Sequence, residues 1–165
     1  MGQEVILSGD QLSLVPPGLF LINRLDTDDV DHAVVFDSGN VLEIKIEEIG
    51  NKSVIYHLPK NKTLHSPTLE EYLKKRREQG DCNPQFSFQG KCVDQVGIQA
   101  AKSRLIKIHQ RKEEYNWLFN NCEHFAYEVM TGKKKSPQLR SGMAVAGLLA
   151  IVSASSLLSS GNRRA

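Results

Sequence analysis

From residue 11 to residue 58 the apolar positions fall in short runs. They are QLSLV (11–15), LFLIN (19–23), HAVVF (32–36), VLEIKI (41–46) and SVIYHL (53–58), rich in apolar and β-branched residues and separated by Pro, Gly, Asp or Asn. Runs of that length between turn residues predict the strands of an antiparallel sheet. DSGN (37–40) and EEIGNK (47–52) carry the residues of tight turns. Beyond residue 65 the period lengthens. SPTLEEYLKKRREQG (66–80) opens with Ser66 and Pro67 as N-cap and first-turn residues and closes on Gly80. CVDQVGIQAAKSRLIKIHQ (92–110) sets Ile98, Ala101, Leu105 and Ile108 at helical spacing, a stripe for burial against the sheet. A last helix begins at Cys122, with Phe125, Ala126, Val129 and Met130 on one stripe and Gly132 as its stop. Strands followed by helices predict the α+β class, an antiparallel sheet packed on helices.

The chain has 165 residues, enough for one domain with a substantial core. It divides into an N-terminal tail (1–8), a domain (9–135) and a basic-flanked hydrophobic tail (136–165). Within that tail, residues 141–161 carry no charge and lie between Lys133, Lys134, Lys135 and Arg140 on one side and Arg163 and Arg164 on the other. Its length suits association with a bilayer, which a helix crosses in about 20 residues. A net charge of +2, with no basic stripe interleaved with aromatics, argues against a nucleic-acid partner. Three cysteines, Cys82, Cys92 and Cys122, follow a start, MGQEVILSGD, that has no basic region leading into an apolar run. A reducing, cytoplasmic setting is therefore expected for the domain. Ile6 stands where a myristoylation signal needs Ser or Thr. Cys82 and Cys92 have no metal-ligand spacing.

NNCEHF (120–125) is the segment with chemistry in it. Asn120 can cap the helix and Glu123 can complete a capping box, which sets Cys122 in the first turn. Unpaired N–H groups and the helix dipole there favour a thiolate, and the same N–H groups can hold an oxyanion. The alternative is a cysteine that serves as a small buried residue. A nucleophile needs a base. His124, two residues on, points about 200° away around the helix. His57, His65 and His109 have ordinary explanations at a strand end, in a loop and near a helix C-terminus. His32 opens the strand HAVVF. With a turn at DSGN, Phe36 would pair with Val41, Val34 with Glu43 and His32 with Lys45, placing Glu43 diagonal to His32 as an orienting carboxylate. A slip of one residue in the turn moves Glu43 to the other face.

SGDQLSL, DHAVVFDSGNVLEI and YNWLFNNCEHFAYEVMTG, in that order and before a hydrophobic tail, resemble the lecithin retinol acyltransferase family. Within it the chain is most similar to the phospholipase and acyltransferase branch known as the HRAS-like suppressors. The resemblance spans roughly residues 9–135, and NCEHF is its most specific motif. It implies a permuted papain-like, NlpC-type thiol fold with histidine before cysteine. It further implies that Cys122 attacks a glycerophospholipid ester with His32 as base, forms an acyl thioester, and passes the acyl group to water, an amine or a hydroxyl. Family members carry a second histidine on the following strand; here the nearest position holds Glu43, and a carboxylate can perform the same orienting task. Residues 58–88 match the family poorly and are expected to form a lid or a membrane-facing surface, with Lys74, Lys75, Arg76 and Arg77 either attracting anionic headgroups or forming a solvated face. Thiolate, imidazole and backbone donors suffice for acyl transfer, so no cofactor and no metal is expected. Two other readings are open: an amidase or peptidase with the same thiol site, and a non-catalytic interaction module. Oligomeric state is not encoded in any of these features.

Overall fold

The apolar run around LFLIN lies at the centre of the fold. The computed structural model describes residues 4–25, 32–59, 63–92, 94–111 and 122–133, and of His32 the backbone alone. Within them the chain runs β1 (Ile6–Ser8), α1 (Gly9–Leu12), β2 (Gly18–Arg24), β3 (His32–Ser38), α2 (Ile46–Ile49), β4 (Val54–Tyr56), α3 (Leu69–Glu78), β5 (Gln85–Cys92), α4 (Gln95–Arg111) and α5 (Cys122–Thr131). The strands form one antiparallel sheet in the order β1-β5-β2-β3-β4. The α+β class with an antiparallel sheet is as expected. Every residue of β2 is buried.

Helices cover both faces of the sheet, and this explains why the strand runs read as continuous rather than alternating. Ala33 and Val35 of β3 pack with Leu105 of α4 and with Phe125, Ala126 and Val129 of α5. Val34 and Phe36, one step out of phase, pack with Leu12 of α1 and with Leu69, Tyr72 and Leu73 of α3. The predicted stripes on α4 and α5 are buried: Ile98, Ala101, Leu105 and Ile108, then Cys122, Phe125, Ala126, Val129 and Met130, with Tyr127 buried beside the second. Gly132 ends α5 at φ +79°, a left-handed geometry that costs glycine least.

Three expectations are corrected. QLSLV is not a strand: Ser8 caps α1 and Gln11 returns the bond to the Ser8 amide, a capping box that takes the segment into a helical turn. VLEIKI is not a strand either. The Asp37 carboxylate accepts from the Val41 and Leu42 amides at 2.7 and 3.2 Å, and the Asn40 side-chain amide donates to the Ile44 and Gly50 carbonyls. With Asn40, Glu43 and Lys45 all at positive φ, the backbone there is coiled out of any ladder. Helix α3 is capped by Thr68, with Glu71 completing its box, rather than by Ser66 and Pro67. Residues 58–88, expected as a lid or a membrane-facing surface, supply α3 and the first half of β5.

Residues 6–8, assigned to a tail on sequence, pair with Gln85–Ser87 as β1. The outer side of β4 is occupied as well. Ile55 donates to the Pro67 carbonyl, Leu69 to that of Ser53, and His57 and His65 exchange two backbone bonds of 3.0 and 2.9 Å. Among the described residues no helix is long and apolar enough to cross a membrane, and residues 141–161 lie outside them.

Candidate active site

Cys122 is the first residue of α5, and packing on the helix determines where its thiol goes. Phe125, Ala126 and Val129 seat α5 against β3, with Ala126 wholly buried and small enough for close approach. At the other end Arg104 of α4 donates through Nε to the Val129 carbonyl at 2.8 Å and through Nη2 to that of Met130 at 3.3 Å. Arg111 pairs with Glu128 at 2.7 Å. These ties fix the pitch of α5 on the sheet and present Cys122 to the start of β3. Asn120, the expected cap, lies outside the described residues.

The strand edge is open where the thiol arrives. The β3–β4 rungs are Asp37↔Val54, Phe36↔Ile55 and Val35↔Tyr56. On the other side of β4, Ile55 and His57 bond to Pro67 and His65. The Ala33 amide, beyond the last rung, hydrogen-bonds the Cys122 sulfur. The amides of Cys122 and Glu123 also reach it, so three N–H groups converge on one atom. Donors gathered in this way can stabilise an oxyanion formed beside the sulfur.

The expected lowering of the thiol pKa is outweighed. Cys122 is only 7% exposed, and burial pushes its thiol up from the ordinary value. The amides of Ala33, Glu123 and Cys122 oppose that shift, while the Glu123 carboxylate adds to it. The dipole argument assumed a first turn in water; here the charged form loses hydration first. A thiol held in this way becomes a nucleophile only when a base removes its proton as it attacks.

His32 is the first residue of β3, pairs in register with Arg24 of β2, and immediately precedes the Ala33 amide that meets the thiol. The fold thus brings the backbone at His32 to Cys122, although the two residues are far apart in sequence. Glu43 is corrected. It lies exposed in the coiled segment after β3 at φ +54°, and the pairing that would have set it diagonal to His32 is taken by β4. His57 has an ordinary strand-end explanation on sequence. It follows directly on the Val35↔Tyr56 rung, on the side of that rung toward His32. The available signal was its place at the end of the apolar run SVIYHL, on the strand that does pair with β3.

His57 also forms part of a ring-lined wall. It meets His65 edge-on at 5.6 Å and Tyr72 edge-on at 5.4 Å, and Arg76 lies over the Tyr72 ring at 5.7 Å. The wall bounds a cavity of about 530 Å³ on the α3 face, which Arg24 also lines.

Comparison with known proteins finds no matching family model, no similar curated protein and no similar solved structure.

Proposed function

We propose that the protein is a thiol-dependent phospholipid acyltransferase or phospholipase A of the lecithin retinol acyltransferase type, with a permuted papain-like fold, working at a membrane surface. The observation that carries this reading is the meeting of Cys122, at the start of α5, with the Ala33 amide beside His32. In this reaction His32 takes the thiol proton as sulfur attacks the ester carbonyl of a glycerophospholipid. The first-turn amides hold the oxyanion, the ester C–O bond breaks, and His32 returns the proton to the departing lysophospholipid oxygen. The acyl thioester is then cleaved by water, an amine or a hydroxyl. His57 takes the orienting role first expected of Glu43, at the end of the strand that follows β3 in the sheet. Residues 141–161 bring the domain to lipid.

The decisive test is to incubate the protein and its Cys122→Ser variant with mixed phosphatidylcholine and phosphatidylethanolamine vesicles and follow lipids and intact protein by mass spectrometry. Lysophospholipid release and an acyl mass increment are expected on the wild type alone. His32→Ala should lower turnover by about 10²-fold or more. Vesicle-bound, folded protein giving neither product nor adduct would remove phospholipids as substrates.

The burial of Cys122 favours one second reading, a non-catalytic module in which the cysteine is a packing residue. Alkylation by iodoacetamide across pH separates the two. A catalytic pair predicts a Cys122 labelling profile that His32→Ala shifts to higher pH; a packing residue predicts a profile that the substitution leaves in place.

A further inference from the structure

Lys74, Lys75, Arg76 and Arg77 read in sequence as one charged run, but α3 divides them. Lys75 and Arg76 line the cavity, together with Arg24, Lys45, His57 and His65, while Lys74 and Arg77 do not. Four permanent cations and two imidazoles therefore share one concavity, and among the described residues that line it there is no Asp or Glu. Lys45, Lys75 and Arg76 form no ion pair among the described residues. Like charges gathered in one concavity, here Lys45, Lys75 and Arg76, raise one another's energy, and an anion relieves that repulsion.

The cavity is also built for a ligand of definite position. The Arg76 guanidinium is held from one side by the Tyr72 ring and from another by Gln79 Oε1, while its Nε is buried with no hydrogen-bond partner among the described residues. A fixed guanidinium with an unused donor is preorganised for an oxyanion. Arg24 is 7% exposed, a cation largely withdrawn from water at the same cavity. A volume of about 530 Å³ exceeds what a bare inorganic ion fills and lies within the usual range of small-ligand sites. Arg24 is the register partner of His32, so the cavity opens at the same end of the sheet as Cys122.

We infer that this cavity is a binding site for the phosphate group of an organic phosphate, with Arg76 and Lys75 as its principal contacts. Cavity binding and thiol chemistry are separable, because Lys75 and Arg76 have no part in the acyl-transfer steps. Phosphate can arrive as a diester on a lipid headgroup or as a monoester on a soluble molecule.

The test titrates the full chain with inorganic phosphate, glycerol 3-phosphate and glycerophosphocholine, read by calorimetry and by amide NMR shifts. Saturable binding is expected, with shifts concentrated at residues 64–67 and 72–79. Arg76→Gln and Lys75→Gln should each weaken it about tenfold or more at unchanged melting temperature. Cys122→Ser should bind as the wild type does, which keeps a failure of the catalytic reading distinct. Preference for glycerophosphocholine supports the site as one for a lipid headgroup, and preference for glycerol 3-phosphate supports it as one for a soluble monoester. Absence of saturable binding by all three in folded protein overturns the assignment. So does binding that Lys75→Gln and Arg76→Gln both leave unmoved.

Discussion

Asp37 has no exposed surface, and burial pushes its carboxyl up to about 6 even though the Leu42 and Val41 amides pull it down. An unfolded aspartate titrates near 3.9, so between roughly pH 4 and pH 6 the folded chain holds the proton that the unfolded chain has released. The contribution of Asp37 to stability is therefore highest below that window, falls as pH rises through it by on the order of 3 kcal/mol, and is level above it. Asp37→Asn should flatten this part of the profile, as measured by urea midpoints from pH 4 to pH 7. Burial, and after it the same carboxylate, raises the Tyr56 hydroxyl above its usual range, and that hydroxyl is buried without a hydrogen-bond partner among the described residues. Asp37 thus organises the coil after β3 at an electrostatic cost to its neighbour, and this is the local reason Glu43 never enters a strand.

At the scale of elements, α5 is positioned by its far end. Arg104→Ala removes both bonds to the terminal carbonyls of α5 and should lower stability by about 1–3 kcal/mol in urea unfolding. Helices α4 and α5 were legible in the sequence because each buries a single stripe, and 3.6-residue periodicity records that directly. Strands β2, β3 and β4 were legible as apolar runs, although their doubly buried faces left no alternation to indicate register. The errors share a cause. At SGDQ and at DSGNVLEI, short polar side chains of Ser8, Gln11, Asp37 and Asn40 satisfy backbone groups that a ladder would otherwise claim. Once VLEIKI was read as the partner of β3, Glu43 took the place beside His32 and His57 was left as an ordinary strand-end histidine. Pairing between β3 and β4 spans the α2 segment, a non-local fact that no window of sequence contains. Cys122 needed no such pairing, since its signal is local to the start of one helix.

For the molecule as a whole, both apolar clusters draw, among the described residues, on positions up to Met130, and α5 stops at Gly132. If residues 136–165 are a tail outside the domain, deleting them should leave cooperative unfolding in place. Under the membrane reading it should preserve hydrolysis of a soluble short-chain ester while cutting turnover on vesicles by about tenfold or more. Equal loss on both substrates would assign those residues a part in the domain itself.

The sheet ends on one side in β1, three residues long, and on the other in β4, along which residues 65–69 engage the Ser53 C=O, the Ile55 N–H and both backbone groups of His57. Bare strand edges invite a second chain to add its own strand, and repetition of that step produces fibrils. The segment 65–69 that bonds His57 and Ile55 also fastens this edge. Loosening it should expose the protein to self-association as well as disturb the site, coupling the chain's solubility to the geometry of its chemistry.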